Sequence, residues 1–344
     1  MRRYLRMDQP LVSVVIPAYN CSKTIQRCLD SVLSQNHSAL QVVVVDDGST
    51  DDTLERLQAY AARDSRLTVV HQENQGVSAA RNRALEQCRG KYVQFVDSDD
   101  SIEPDMYEKL MGALLESDAD MAMCGYYLDF KGMRKFKQPI PDAGVYAGSD
   151  LMREGYLDRK VQSISCDKVF RREVAGDGYP SQRYFEDHAT MLHWFAKVGK
   201  WVVVPEPMYH YRMRRSGVTN GFSVEKRMAK FRADLDRARF MASLPADRHG
   251  MTEAEIGAQV VGSAVSTAKA IARGCTDADA TDRAIAEILG CTSDYFNLCR
   301  GILPAKTARR YELMMKNPVW FRRKMKLERM FVFAGNRKEK LLYD

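Results

Sequence analysis

No apolar run in this chain approaches the ~18 residues that a membrane span needs; the longest candidates, Leu11–Ala18 and Val42–Val45, are strand-sized. Behind Arg2, Arg3 and Arg6 comes no apolar segment, only Asp8, Gln9 and Pro10, so no secretory signal peptide is expected. The 8 cysteines form no CxxC pair and no Cys/His spacing of a zinc site. Scattered thiols of this kind imply a reducing, cytoplasmic setting and core packing. Internal repeats and low-complexity stretches are also absent. What is present is 344 residues, 45% of them apolar and 28% charged, enough for a large core and, at ~150 residues per domain, about two domains. The net charge of +7 is unevenly spread: from Arg300 onward 13 Lys/Arg face 4 Asp/Glu, so the basic character belongs to the C-terminal tail.

The N-terminal part alternates strand and helix patterns. Val12–Ile16, Leu40–Val45, Leu67–Val70 and Tyr92–Val96 are short runs suited to strands, the first two buried on both faces. Ile25, Cys28, Leu29, Val32 and Leu33 make one apolar helical stripe, with Asn20 or Ser22 available as cap. A second helix is expected after Ser49–Asp52, and a third from Val77 to Cys88, ended by Gly90. This repetition predicts right-handed crossovers, a mostly parallel sheet, and a ligand beyond the strands' carboxyl ends. A helix from Met106 and a strand from Met121 continue the α/β pattern; residues 131–165 read as loops and short strands lining a cleft. From Val224 the pattern is helical, with breaks at Pro245, Gly274, Pro304 and Pro318. The expected division is an α/β domain over 1–220 and a helical region over 221–344.

Three expected strand ends carry Pro17-Ala18-Tyr19-Asn20, Asp46-Asp47-Gly48-Ser49 and Asp97-Ser98-Asp99-Asp100. In extended geometry Asp97 and Asp99 project to one side, where both carboxylates meet a single hard cation such as Mg²⁺ or Mn²⁺ with positions left for phosphate oxygens. The competing reading is an acidic turn capping the next helix. Asp46 and Asp47 suit the imide N–H of a uracil or ribose hydroxyls, or else a turn and helix cap, the role assigned to Ser49 and Thr50. Gly76 permits close backbone approach, and Arg81 complements phosphate or orients the acidic cluster. Arg83 and Glu86 belong on the solvated face.

Together, Val12–Asn20, Val45–Asp51, Asn74–Asn82 and Val96–Asp100 resemble the successive motifs of family 2 glycosyltransferases, over roughly residues 10 to 215. The resemblance implies a GT-A fold, a nucleotide-diphosphate sugar donor and inversion at the anomeric carbon. It implies that Pro17, Ala18, Tyr19, Asp47 and Asp99 contact the nucleotide or its metal, with Asp97 reaching the ribose or, through water, the metal; either carboxylate of the pair can be the direct ligand. Phe185-Glu186-Asp187-His188 is similar to the family's Glu-Asp motif at a helix start. By that similarity Asp187 is the base and Glu186 contacts the acceptor or orients a neighbour; the alternative is a pair of N-terminal helix carboxylates. Tyr209-His210-Tyr211-Arg212 with Arg214 and Arg215 resembles a segment closing the domain. There His210 joins the metal or donates to phosphate and the arginines neutralise diphosphate, unless Tyr211 is core and Arg214-Arg215 are solvated. Ser165–Arg171 resembles an acceptor-side segment to which no chemistry is assigned.

The expected activity is therefore inverting, metal-dependent transfer of a sugar from a nucleotide diphosphate, UDP foremost, to a glycan or lipid-linked hydroxyl in cell-surface polysaccharide synthesis. Its rivals are an inactive sugar-nucleotide-binding or scaffold protein and a sugar-nucleotide nucleotidyltransferase. Residues 309–333 interleave apolar and basic side chains, which suits an anionic membrane surface at the inner face of the plasma membrane or a helix packed on the catalytic domain. No stacking module or groove-reading motif supports nucleic acid.

Overall fold

Strands that are buried on both faces are mostly apolar, and all residues of β1 (Val12–Ala18) and β2 (Leu40–Asp47) are buried, with the polar Ser13 and Gln41 hydrogen-bonded to each other and two aspartates ending the second. The computed structural model describes residues 9–130, 133–137, 140–181, 184–213 and 221–335. Between and after those strands run α1 (Ile25–Leu33), α2 (Thr53–Ala61), β3 (Leu67–Gln72), α3 (Val77–Gln87), β4 (Tyr92–Phe95), β5 (Ser101–Ile102), α4 (Met106–Ser117) and β6 (Met121–Phe130). There follow β7 (Met133–Lys137), β8 (Gly144–Ala147), α5 (Gly148–Leu157), β9 (Lys168–Arg171), α6 (Glu186–Phe195) and β10 (Lys200–Arg212). The remainder is helical: α7 (Val224–Ser243), α8 (Glu253–Gly274), α9 (Ala278–Cys299), α10 (Ala305–Lys316) and α11 (Pro318–Gly335).

The strands form one sheet in the order β3-β2-β1-β4-β9-β6-β10-β5, with β7 on β6 and β8 on β10. Its first four strands pair in parallel, as the alternation of strand and helix requires. Beyond β4 the sheet is mixed: β9 is antiparallel to both β4 and β6, while β10 is parallel to β6. The expectation of a mostly parallel sheet thus holds for one half. Beyond it β9 runs against β4 and β6, a pairing that no local pattern announces. Val12, Val14, Ile16, Val42 and Val44 face a core shared with Ile25, Leu29, Met106, Leu110 and Leu114. Their neighbours Val15, Val43 and Val45 are equally buried on the opposite face, by strand alternation.

Several local details differ from the sequence reading. Neither Asn20 nor Ser22 caps α1, whose N-cap is Thr24; the Asn20 carboxamide oxygen accepts from Thr50 N at 2.8 Å and Ser22 N donates to Asp51, so both join two loops instead. Ser49 does not cap α2 either, because its hydroxyl accepts from Asn20 N at 3.0 Å. Residues 131–165 include the ten-residue helix α5. All four expected breaks in the helical region fall between or at the ends of helices.

The described residues gather into two compact units, one holding 9–213 with Asp247–Gly250 and the other 221–246 with 251–335. Residues 247–250 return to the first unit, where Arg248 Nη2 donates to Ala196 O at 2.7 Å and Gly250 O accepts from Arg153 Nη1 at 2.6 Å. The second unit is a helical bundle around Phe231, Val261, Ile271, Ile285, Ile288 and Phe321. No described helix is long and apolar enough to cross a membrane. All 8 cysteines are free thiols, six of them buried.

Candidate active site

β1 lies between β2 and β4, so the crossovers leave it in opposite directions and open a crevice at its carboxyl end. Pro17 and Ala18 are buried there, whereas Tyr19 is 51% exposed and presents its ring to solvent. The next residue, Asn20, has a left-handed backbone (φ 46°), a conformation an asparagine tolerates, and it turns the chain toward the loop after β2.

Asp46 and Asp47 end β2 and, being adjacent on a strand, point to opposite faces. Asp47 is 3% exposed and fully engaged. Its Oδ1 accepts from Gln72 Nε2 (2.8 Å) and Gln75 N (2.9 Å), and its Oδ2 from Gly76 N (2.8 Å). The carboxylate therefore holds the 73–76 loop against β2. Gly48 (φ +72°) sits under that loop, where a Cβ would lie 2.8 Å from Asn74 N. Asp46 is wholly buried; its Oδ2 meets His71 Nδ1 at 2.7 Å and its Oδ1 has no protein partner. Gly76 has φ +92° and starts α3 with nothing within 4 Å of where a Cβ would be, so backbone conformation is what demands glycine there.

One turn into α3, Arg81 is 3% exposed and joins the two acidic motifs. Its Nη2 donates to Asp97 Oδ1 at 2.9 Å and its Nη1 to Glu186 Oε1 at 2.8 Å, 105 residues away in sequence, with Asp187 Oδ1 3.6 Å off. The guanidinium also lies 4.9 Å from the centre of the Tyr179 ring. Glu186 and Asp187 open α6, and Phe185 just before them has φ 60°, a costly left-handed conformation for an aromatic residue. Ser165 Oγ donates to Asp187 Oδ1 at 3.1 Å. Burial pushes the Asp187 carboxyl up to about 6; Arg81 and Ser165 oppose that rise, while Glu186 and Asp97 add to it.

The Asp97–Asp100 turn is pinned from three sides. Arg27 of α1 donates to Asp99 O at 2.6 Å, Asp100 N to Asp97 O at 3.0 Å, and the Tyr209 hydroxyl accepts from Asp97 N while donating to Asp100 Oδ2 at 2.6 Å. Asp100 also accepts from Arg212 N at 2.8 Å; it is 1% exposed, and burial beside Asp97 and Asp99 holds its carboxyl well above the usual range. Asp100 is thus structural, while Asp97, paired with Arg81, and Asp99 are both partly exposed.

The sequence pattern described as Glycosyl transferase family 2 matches residues 13–177, which takes in every strand end just described except β10. The chain is 34% identical over 217 residues to the glycosyltransferase GlyG of Streptococcus pneumoniae serotype 4, covering 60% of this chain and 72% of that one. The chain belongs to glycosyltransferase family 2. It is also 39% identical over 168 residues to the uncharacterised glycosyltransferase YibD of Escherichia coli K12, a match spanning 47% of this chain and about half (49%) of YibD's length. Among solved structures, S. aureus TarS residues 1–349 in complex with UDP-GlcNAc superposes with a TM-score of 0.72 at 19% identity, over 93% of this chain and 91% of that one, which establishes the GT-A fold.

Within that family fold, His210 does not join the acidic pair. Its Nε2 meets Glu103 Oε1 at 2.9 Å, its Nδ1 lies 3.5 Å from Asp129 Oδ2, and its ring stacks on Tyr127. Among the described residues no three His, Cys, Asp or Glu side chains are grouped to hold a metal. Two carboxylates nonetheless suit a magnesium-like ion, which takes one or two protein carboxylates and completes its shell with phosphate oxygens and water. Arg214 and Arg215, assigned to the diphosphate, lie outside the described residues. Arg83 pairs with Glu86 on the exposed face, as expected. The roles of Ser165, Tyr179, Arg27 and Tyr209 carried no signal in the sequence, because each is defined by a distant partner. The tail also differs from its sequence reading: Met314, Phe321 and Met325 are buried in the helical bundle, Met315, Val319 and Trp320 are exposed, and the side chains of Met330, Phe331 and Phe333 lie outside the described residues.

Proposed function

We propose that this protein is an inverting, metal-dependent glycosyltransferase that moves a sugar from a nucleotide diphosphate, UDP foremost, to a hydroxyl of a glycan or lipid-linked acceptor in cell-surface polysaccharide synthesis. The observation that carries this reading is Arg81, whose single buried guanidinium ties Asp97 to Glu186 and Asp187. It draws the donor-side and acceptor-side motifs to one point. The likeness to TarS, solved with UDP-GlcNAc, supports a uridine donor.

On this reading Tyr19 offers a ring to the nucleobase at the mouth of the crevice, and the loop clamped by Asp47 closes around the nucleoside. Asp97 and Asp99 would hold Mn²⁺ or Mg²⁺, which would supply positive charge to offset that of the departing diphosphate. Asp187 removes the proton from the acceptor hydroxyl as its oxygen attacks the anomeric carbon from the face opposite the diphosphate. A carboxyl held at about 6 is a stronger base than an ordinary aspartate yet still ionised at neutral pH. Ser165 and Arg81 fix its orientation, and Arg81 offsets part of the repulsion among three neighbouring carboxylates. Residues 1–220 carry this chemistry; residues 221–344 include the 309–333 segment, read as the contact with an anionic membrane surface on the cytoplasmic side, where lipid-linked acceptors are reached.

A panel of nucleotide sugars, assayed for metal-dependent release of UDP or GDP with and without acceptor, tests the reading. Release from one uridine sugar supports it. Tight nucleotide binding with no release from any donor overturns it in favour of an inactive sugar-nucleotide-binding protein.

A further inference from the structure

Three helices of the second unit assemble a cluster of cations around one carboxylate. Arg273 of α8 and Arg310 of α10 both donate to Glu328 Oε2 of α11, at 3.0 and 2.8 Å. Lys269 stands one turn before Arg273 and Lys306 one turn before Arg310, so each helix contributes a pair of cations four residues apart. Partial burial loosens the Lys269 ammonium's hold on its proton, and the nearby Arg273, Arg310 and Lys306 add to that while Glu328 opposes it. Two arginines share one acid, and Lys269 and Lys306 beside them leave the cluster, a cradle of cations, with an excess of positive charge suited to a phosphate.

Beside that cradle α11 exposes an apolar stripe with a basic edge. Trp320 (48% exposed) and Leu327 (46%) are seven residues apart on one face, with Arg323 and Lys324, both exposed, on either side between them. Lys324 precedes Glu328 by one turn, so the stripe adjoins the cradle. Met315 of α10 and Val319 of α11 are also about 40% exposed. The chain's other tryptophans, Trp194 and Trp201, are buried at 0% and 1%, so Trp320 stands out as an aromatic side chain left in water. A soluble polyanion would engage the cations and leave Trp320 and Leu327 wet. An anionic bilayer surface uses both, taking phosphates into the cations and the indole and leucine into the headgroup boundary.

We propose that the α10–α11 face of this protein docks on an anionic phospholipid surface, with Lys269, Arg273, Lys306 and Arg310 receiving a lipid phosphate and Trp320 and Leu327 inserting beside it. This rests on the membrane contact in the functional reading above and narrows it from a stretch of sequence to a folded face with a headgroup site.

The test uses the full chain and vesicles of phosphatidylcholine with or without phosphatidylglycerol. Co-sedimentation should require phosphatidylglycerol and weaken with salt, and tryptophan emission should move to the blue on binding. In Trp320→Phe the vesicles should still pellet the protein, but the emission shift should vanish, since the two buried tryptophans do not report. Lys269→Gln/Lys306→Gln and Arg323→Gln/Lys324→Gln should each weaken vesicle binding roughly 10- to 30-fold while circular dichroism stays unchanged. Equal binding to neutral vesicles, no binding at all, or salt-sensitive capture of soluble polyphosphate or RNA in place of vesicles would overturn the proposal. Donor turnover without vesicles is measured on the same preparations. Turnover without vesicle binding sinks the docking face alone, and vesicle binding without turnover sinks the glycosyl-transfer reading alone.

Discussion

On the proposed function, Asp187 and its immediate partners concentrate the chemistry. An Asp187→Asn protein keeps the shape and most of the hydrogen bonding but loses the basic oxygen. Calorimetric UDP binding should stay near wild type while transfer falls at least ~10²-fold, the lower range for loss of a general base. In the wild type the ionised fraction of a carboxyl at about 6 declines as pH falls through that value. Transfer should therefore be flat above neutrality and drop on the acid side. Ser165 stabilises the ionised form by donating to it, so Ser165→Ala should raise the Asp187 pKa further and move the acid limb to higher pH. A limb that stays in place would make Ser165 a packing residue only.

The elements that present these residues depend on a few buried polar ties. The segment leading into β9 is one: Lys168 and Asp167, each with a side chain 0% exposed, pair at 2.6 Å, and the same ammonium donates to Gln162 O and Ile164 O at 2.9 Å each. It thereby fixes the backbone that carries Ser165. Burial raises the Asp167 carboxyl even though Lys168 pulls it down, a sign of how little water reaches the pair. Lys168→Met strands a buried carboxylate and two carbonyls, and should cost about 3–5 kcal/mol in urea unfolding. The double change Asp167→Leu/Lys168→Met should recover a good part of that loss, because no charge is then left unpaired. If the single and double variants unfold at the same midpoint, the pair does not stabilise through charge compensation.

Across the whole molecule, the two acidic motifs meet because β1 and β4 lie side by side and Arg81 of α3 reaches both Asp97 after β4 and Glu186 at the start of α6. A metal shared with the donor would be held by Asp97 and Asp99 alone, so its affinity should depend on the nucleotide sugar being present. Turnover should collapse in excess chelator and return with Mn²⁺ or Mg²⁺. Asp99→Ala should lose donor binding and turnover together, unlike the change at Asp187, with circular dichroism and melting unchanged. Full activity in excess EDTA would remove the metal from the mechanism.

The parallel half of the sheet, the three acidic or aromatic strand ends and the helix breaks near Pro245, Gly274, Pro304 and Pro318 were legible in the sequence. All of them depend on interactions within a few residues: apolar periodicity, turn chemistry and the missing N–H of proline. The same locality misassigned the caps at Asn20 and Ser49, whose groups pair with each other's loops 29 and 30 residues away. Only the tertiary structure showed that Asp47 clamps a loop, that Asp100 turns inward to Tyr209, that His210 meets Glu103 and Asp129, and that Arg81 joins the two acidic motifs. It also divided the tail's apolar residues between the bundle core and the exposed stripe. A charged side chain's partner is chosen by whichever group the fold brings within about 3 Å, so that among similar aspartates Asp47 holds a loop, Asp97 pairs with Arg81 and Asp100 is buried against Tyr209.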